Sequence, residues 1–172
     1  MNTLLIAIRA AVYMTGFVYV FGYLAFRVRA FDPQVGFRLP DGLQIPGLIL
    51  GLAGTLLVLA CAGEFITRGR GTPAPFDAPR RFVAAGPYKF VRNPMYVGGL
   101  LLLAAVALYL HSISILLMAF ALFLVAHAFV FFYEEPTLRR TFGATYEEYC
   151  RNVRRWLPRR PKSSPSNGTQ TV

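Results

Sequence analysis

The strongest constraint on the fold is a series of apolar runs that are too long for a soluble domain of this size. The runs cover residues 4–26, 46–66 and 94–133, and 55% of the 172 residues are hydrophobic. One membrane crossing takes ~20 helical residues, so the last run fits two crossings. No small-residue cleavage site follows the first run, which is therefore interpreted as a retained helix. The runs predict an all-α integral membrane protein with four transmembrane helices.

Charge placement predicts the orientation of these helices. The chain has a formal net charge of +10, and 14 of its 18 Lys and Arg residues lie within 67–93 or after residue 133. Four crossings place both segments on one side, which the positive-inside rule makes cytoplasmic. Both termini are then cytoplasmic, in the inner membrane if the protein is bacterial. The basic surface suits membrane lipids rather than nucleic acid, because no nucleic-acid module accompanies it.

Weaker signals concern the packing of the helices. Ser112 or Ser114 is predicted to cap the fourth helix and so to form a tight hairpin with the third. Gly51 and Gly54 suit close helix contact, although they are three residues apart and make no strict GxxxG motif. His127, inside the fourth helix, is a functional candidate by its membrane depth, but a packing role is the favoured interpretation.

A dense stretch of turn and interface residues, 86–98, joins the basic connection to the third helix. Its sequence is Gly-Pro-Tyr-Lys-Phe-Val-Arg-Asn-Pro-Met-Tyr-Val-Gly. Pro94 suits the first turn of a helix, which makes Asn93 the predicted N-cap, beside unpaired backbone donors and a positive dipole end. The stretch is predicted either to accept an anion at the membrane edge or merely to anchor the helix.

Two carboxylates, Glu134 and Glu135, follow the fourth helix. Because consecutive helices in a hairpin are antiparallel, they are expected close to Arg92. Charges at this depth are costly unless they pair or bind something. The alternatives are a structural ion pair and a ligand site.

The segment from about 135 to 157 is predicted to be an amphipathic helix on the cytoplasmic surface, interrupted at Gly143. Its apolar stripe comprises Leu138, Phe142, Tyr146, Tyr149 and Val153. Residues predicted to hold it to the membrane are Arg151, Arg154, Arg155 and Trp156. The chain thus divides into two N-terminal helices (1–66), a catalytic core (67–160) and a disordered tail (161–172).

Taken together, the two motifs resemble isoprenylcysteine carboxyl methyltransferases and phospholipid methyltransferases. The resemblance rests on Gly-Pro-Tyr-x-x-x-Arg-Asn-Pro-x-Tyr-x-Gly, a helical hairpin, and Glu-Glu-x-x-Leu-x-x-x-Phe-Gly-x-x-Tyr-x-x-Tyr, within about residues 71–158. It implies S-adenosylmethionine bound at the cytoplasmic ends of the third and fourth helices, without a metal. The methyl acceptor would be a lipophilic molecule, a carboxylate or an amine, that arrives from the lipid.

The resemblance also implies roles for single residues. Arg92 and Glu135 are the expected catalytic residues, and Arg92 would hold a carboxylate or phosphate of the acceptor. Many relatives have histidine at position 93; the amide of Asn93 cannot carry a proton, so no general base is expected there. The implied cofactor-binding residues are Tyr88, Asn93, Pro94, Tyr96, Gly98, Glu134 and Glu135.

Two other functions compete with methyl transfer. Sterol reductases resemble this family in their C-terminal core and use NADPH, although they usually have more than four crossings. A non-enzymatic protein that binds anionic lipid is the third alternative, and the Glu134–Glu135 pair counts against it.

Overall fold

The computed structural model describes residues 3–69 and 82–158, and this part of the chain is all-helical. The α-helices are α1 (Thr3–Arg29), α2 (Asp32–Val35), α3 (Gln44–Glu64), α4 (Pro94–Tyr109), α5 (Ile113–Phe129) and α6 (Glu135–Asn152). A π-helical turn extends α3 over Phe65–Gly69, and a second one joins α5 to α6 over Val130–Glu134. A 3-10 turn at Gly86–Lys89 precedes α4.

Three helical segments are long and apolar enough to cross a membrane, namely Leu4–Arg29, Gln44–Gly69 and Ile113–Asn152. Their large apolar side chains point outward; for example, Val18 is 69% and Phe132 76% exposed. Such surfaces are tolerated where lipid covers them. The chain is therefore a membrane protein. Helix α4 is also apolar but has only 16 residues, and the fourth crossing stays a prediction.

Helices α3 and α4 pack antiparallel, with backbones in close contact at glycines. A Cβ atom on Gly54 would lie 2.9 Å from the Gly98 carbonyl oxygen, and one on Gly47 would lie 3.0 Å from that of Ala105. The contact includes the spacing Gly47-x-x-x-Gly51, a GxxxG motif that the sequence analysis overlooked. Small residues on one face of α3 thus set the separation of the two helices.

The hairpin between α4 and α5 is tied to the α1–α3 connection. Ser112 caps α5, as predicted, by accepting from the Ile115 amide at 3.2 Å. Asp32 in α2 accepts from the Ser112 hydroxyl at 3.0 Å and from the Ser114 amide at 2.9 Å. The carbonyl of Pro40 lies 3.0 Å from Nδ1 of the buried His111. These contacts place the two connections at the same end of the helices.

At the other end the chain remains helical from α5 into α6, so Glu134 and Glu135 lie inside a helix and not after one. Helix α6 breaks where predicted, since Gly143 has non-helical dihedrals, with φ 49° and ψ −128°. The chain that follows α6 pairs with the segment before α4, because Arg154 and Val91 form an isolated parallel bridge. Residues 70–81 of the basic connection and the tail predicted to be disordered (161–172) lie outside the described residues.

Candidate active site

Residues from both motifs meet at a small cavity between the end of α3, residues 82–93 and α6. Its volume is about 90 Å³. Aromatic and aliphatic side chains form most of the wall, and Arg92, Asn93 and the two glutamates supply its charged and amide groups. The lining residues are Phe65, Phe82, Val83, Tyr88, Arg92, Asn93, Val130, Glu134, Glu135, Leu138, Phe142, Tyr146 and Tyr149.

Glu135 is buried and bound to two arginines. Arg155 donates from Nε to Oε1 at 2.6 Å and from Nη2 to Oε2 at 3.0 Å. Arg92 Nη1 lies 3.3 Å from Oε1, and the Glu135 side chain is only 6% exposed. The hydrogen bond to Glu135 raises the pKa of Arg155 above its ordinary value. The ion pair that the sequence allowed between Arg92 and a glutamate is therefore present, with a second arginine that completes it.

Arg92 has a second partner, Cys150, and one guanidinium nitrogen without a hydrogen bond in the described residues. Its Nη1 donates to Cys150 Sγ at 2.6 Å. Its Nε is buried and has no hydrogen-bond partner among residues 3–69 and 82–158. A buried N–H beside a cavity is costly unless a ligand accepts from it. The arrangement thus offers one donor to an anionic group in the cavity.

Glu134 differs from Glu135, because its hydrogen-bond partner is a neutral side chain. The Tyr96 hydroxyl donates to Glu134 Oε2 at 3.0 Å. In the ranges 3–69 and 82–158 no arginine, lysine or histidine pairs with this carboxylate. Within the described part of the chain, Glu134 is thus a carboxylate at the cavity wall without a positively charged partner.

Tyr88 supports the wall of the cavity from the 3-10 turn. Its ring makes an edge contact with Phe65, with centroids 5.4 Å apart, and its carbonyl accepts from the Tyr149 hydroxyl at 2.6 Å. Burial, the neighbouring Cys61 thiol and the charge of Glu134 raise the pKa of Tyr88 well above its ordinary value. Its phenol therefore stays neutral and can only act through hydrogen bonds and its ring face.

Asn93 occupies the N-cap position of α4, as predicted, but its side chain makes no capping bond, and that part of the prediction is wrong. Its Nδ2 donates instead to the Arg155 carbonyl at 3.3 Å, and its backbone amide donates to the same oxygen at 3.2 Å. The Arg92 amide donates to the Arg154 carbonyl at 2.8 Å. Segment 154–155 therefore takes up donors that the sequence analysis had left for an anion.

Three predicted cofactor residues, Tyr96, Pro94 and Gly98, do not line the cavity. Tyr96 is linked to it by its hydrogen bond to Glu134. Pro94 is fully buried at the first turn of α4, where it starts the helix. Gly98 lies one turn further on, and a Cβ atom there would meet Val58 Cγ2 at 2.7 Å. The positions of Pro94 and Gly98 indicate roles in the shape of α4 and in its contact with α3.

Sequence reasoning missed Arg155 and Trp156 as parts of the site. Both were assigned to the membrane surface, but Arg155 binds Glu135, and the Trp156 indole donates to His127 Nδ1 at 2.9 Å. It also missed Phe82, whose ring contacts those of Phe142 and Tyr149 at 5.3 and 5.1 Å. The useful signal was the Arg-Arg-Trp sequence directly after an amphipathic helix, where the chain can turn back to the motif residues.

Comparison with protein families matches residues 43–145 to the phospholipid methyltransferase family. The match covers α3, α4, α5 and most of α6, including the first motif and the second as far as residue 145. It ends before Tyr146, Tyr149, Arg155 and Trp156. Comparison with curated proteins gives no match.

Proposed function

Because the chain belongs to the phospholipid methyltransferase family, we propose that it transfers a methyl group from S-adenosylmethionine to the amine of a membrane lipid at the cytoplasmic face. The family makes the chain a methyltransferase that acts on lipid-type substrates. The cofactor, the acceptor group and the membrane face are the parts that we propose.

The choice of an amine rests on one observation, namely that Glu135 and Glu134 have different partners. Arg92 and Arg155 are both engaged by Glu135, so neither guanidinium is fully open to a carboxylate of the acceptor. Glu134 lies at the cavity wall, with the Tyr96 hydroxyl as its hydrogen-bond partner. A carboxylate without a cationic partner favours an ammonium group, and aromatic faces such as those of Tyr88 and Tyr149 favour it as well.

The residues around the cavity fit the chemical groups of S-adenosylmethionine. When bound, the cofactor supplies a methyl group made electrophilic by a sulfonium. The unpaired Nε of Arg92 suits its carboxylate, and the rings of Phe82, Tyr146 and Tyr149 suit its adenine. A cavity of about 90 Å³ is smaller than the ~300–1,000 Å³ of ordinary small-molecule sites. The cavity as it stands therefore has room for only part of the cofactor.

Within this proposal the residues of the chain hold and orient the reactants. Glu134 binds the acceptor amine and accepts the proton that its ammonium form must lose before nitrogen can attack. The cofactor, held by Arg92 and the aromatic side chains, would supply the methyl group to this nitrogen, its C–S bond breaking as the C–N bond forms, and the proton released by the methylated nitrogen would pass to water. Glu135 acts through Arg92, whose orientation it sets. Positioning of this kind can contribute ~7–11 kcal/mol to a bimolecular reaction.

The experiment uses purified protein in lipid nanodiscs, with binding of S-adenosylmethionine and of NADPH measured by calorimetry. We expect binding of S-adenosylmethionine alone, and transfer of labelled methyl to phosphatidylethanolamine rather than to a prenylated cysteine carboxylate. Glu134→Gln should reduce turnover at least tenfold without a change in thermal stability. Transfer to the carboxylate substrate, or normal turnover of Glu134→Gln, would contradict the amine assignment.

We also propose the four-crossing topology with both termini cytoplasmic, in which residues 1–66 form two crossings and 67–160 the catalytic core. The antiparallel contact of α3 and α4 supports it, because α4 starts beside the end of α3 and ends beside its beginning. The basic residues of 67–93 and of the C-terminal segment then share the side that holds the cavity.

A further inference from the structure

A cluster of four half-buried rings outside the cavity lining is linked to Glu134 through Tyr96. The Trp156 ring contacts Phe123, His127 and Tyr96, with centroids 5.2, 6.0 and 6.2 Å away. Tyr96 in turn donates to Glu134. We propose that Trp156 and His127 form an acceptor-side wall, which positions the headgroup of the lipid acceptor at Glu134.

The position of His127 supports this role. His127 precedes and Glu134 ends the π-helical turn Val130–Glu134 of one continuous helix. The two side chains are connected through Trp156, which donates to His127, and through Tyr96, which contacts Trp156 and donates to Glu134. Neighbouring side chains on the same helix point to lipid, as Leu124 and Val125 are 51% and 64% exposed. The wall is thus linked to the carboxylate through Tyr96 and belongs to a helix with lipid-facing side chains. A lipid headgroup bound at Glu134 would lie beside it.

The hydrogen bond between the two side chains determines what His127 can offer. The indole N–H of Trp156 is a donor only, so Nδ1 of His127 must accept, and the neutral ring carries its proton on Nε2. His127 is then a donor, suited to a phosphate or ester oxygen of a lipid. The ring faces of Trp156 and Tyr96 suit the cationic, partly methylated amine that follows the first transfer.

Trp156 is held in place from the site side. The Arg155 carbonyl accepts from the amide and side chain of Asn93, and the Arg155 side chain binds Glu135. The same short segment therefore orients the ion network with one residue and the acceptor-side wall with the next. This proposal rests on the proposed function, because it names positioning residues for the acceptor of that reaction.

Trp156 is the sole tryptophan of the chain, so the native protein reports on the wall by its own fluorescence. The experiment adds phospholipids with brominated acyl chains, which quench indole on contact, to the nanodisc-bound protein without cofactor. We expect stronger quenching by lipid with an ethanolamine headgroup than by lipid with a glycerol headgroup at equal bromine content. Equal quenching by the two headgroups would overturn the proposal, and this readout stands even if no methyl transfer is found.

Kinetics of two variants give a second readout. Trp156→Phe keeps a ring but removes the N–H, and His127→Asn keeps an acceptor near Trp156 but removes the Nε2 donor. Each should raise the KM for the lipid acceptor about three- to tenfold, the effect of one hydrogen bond. Cofactor affinity and thermal stability should match those of Phe120→Leu, a change at an exposed ring of the same helix. An unchanged acceptor KM in His127→Asn, or a parallel loss of cofactor affinity, would overturn the proposal.

Discussion

Arg155 donates to both carboxylate oxygens of Glu135, at 2.6 and 3.0 Å, across 20 residues of sequence. A bidentate pair of this kind holds both groups in one geometry. It occupies both oxygens of Glu135, whereas the described partner of Glu134 next to it is the Tyr96 hydroxyl. Two adjacent residues of the same type thus differ, because one carboxylate is bound by arginines and the other by a neutral group.

Arg155→Met should destabilise the protein by about 2 kcal/mol, because it leaves Glu135 buried with Arg92 alone. Loss of one partner of a fully buried pair costs ~3–5 kcal/mol, and the 29% exposure of the Arg155 side chain reduces that cost. Thermal unfolding in detergent measures it, with the exposed Arg151→Met as the control. A midpoint equal to that of the control would show that the pair contributes nothing.

The double change Arg92→Met with Glu135→Gln separates this network from a simple pair. In a two-residue ion pair it should restore most of the stability lost in Glu135→Gln. Here it leaves Arg155 without its carboxylate, so the double variant should stay at least as unstable as Glu135→Gln alone. Recovery of the wild-type unfolding temperature would contradict the three-residue network.

The fold was largely predictable because membrane helices follow from apolar length and charge, as α1, α3, the Ser112 cap and the break at Gly143 show. The site was predictable only in part. The motifs located Arg92, Glu134 and Glu135, but the partner of Glu135 depends on how segment 153–156 turns back, which no periodic pattern encodes. Nor could the sequence tell which of two adjacent glutamates meets a cation, since that follows from their directions on a helix.

Gly98→Ala should test whether Gly98 serves the cofactor or the helix contact. An added methyl would meet Val58 Cγ2 at 2.7 Å and the Gly54 carbonyl oxygen at 3.1 Å. Overpacking of this kind costs ~1–3 kcal/mol, so the unfolding temperature should fall. The adjacent Gly99→Ala is the control, because a Cβ atom there meets nothing within 4 Å. Normal stability with a loss of cofactor affinity would instead assign Gly98 to the cofactor.

Asp32 should make the stability of the α1–α3 connection sensitive to acid. Burial by itself would raise the pKa of Asp32, but hydrogen bonds from Ser112 and Ser114 and the charge of Arg29 hold it below its ordinary value. Its stabilising effect is therefore complete above about pH 4, the unfolded-state value, and is lost as the pH falls through the lower folded-state pKa. Asp32→Asn should cost about 1 kcal/mol at pH 7.

The pH dependence of this variant is the sharper measurement. The gap in unfolding temperature between Asp32→Asn and the wild type should narrow as the pH is lowered below about 4. Asp41→Asn serves as the control, because Asp41 pairs with Arg38 at the surface, 87% exposed, and should give little change at any pH. A gap that persists unchanged into acid would show that the charge of Asp32 is not what stabilises this connection.

The last prediction concerns α4, whose 16 residues extend only ~24 Å, less than the ~30 Å of a hydrocarbon core. Its far end is nonetheless tied to the α1–α3 connection by the Asp32–Ser112 and Pro40–His111 contacts. We therefore expect α4 to complete a crossing, with local thinning or tilt that absorbs the mismatch. A reporter after residue 172 should read cytoplasmic and one inserted at Gly36 external, with a fusion at Thr67 as the cytoplasmic control. If α4 did not cross, the chain would have three crossings, and the reporters at 36 and 172 would read the same side.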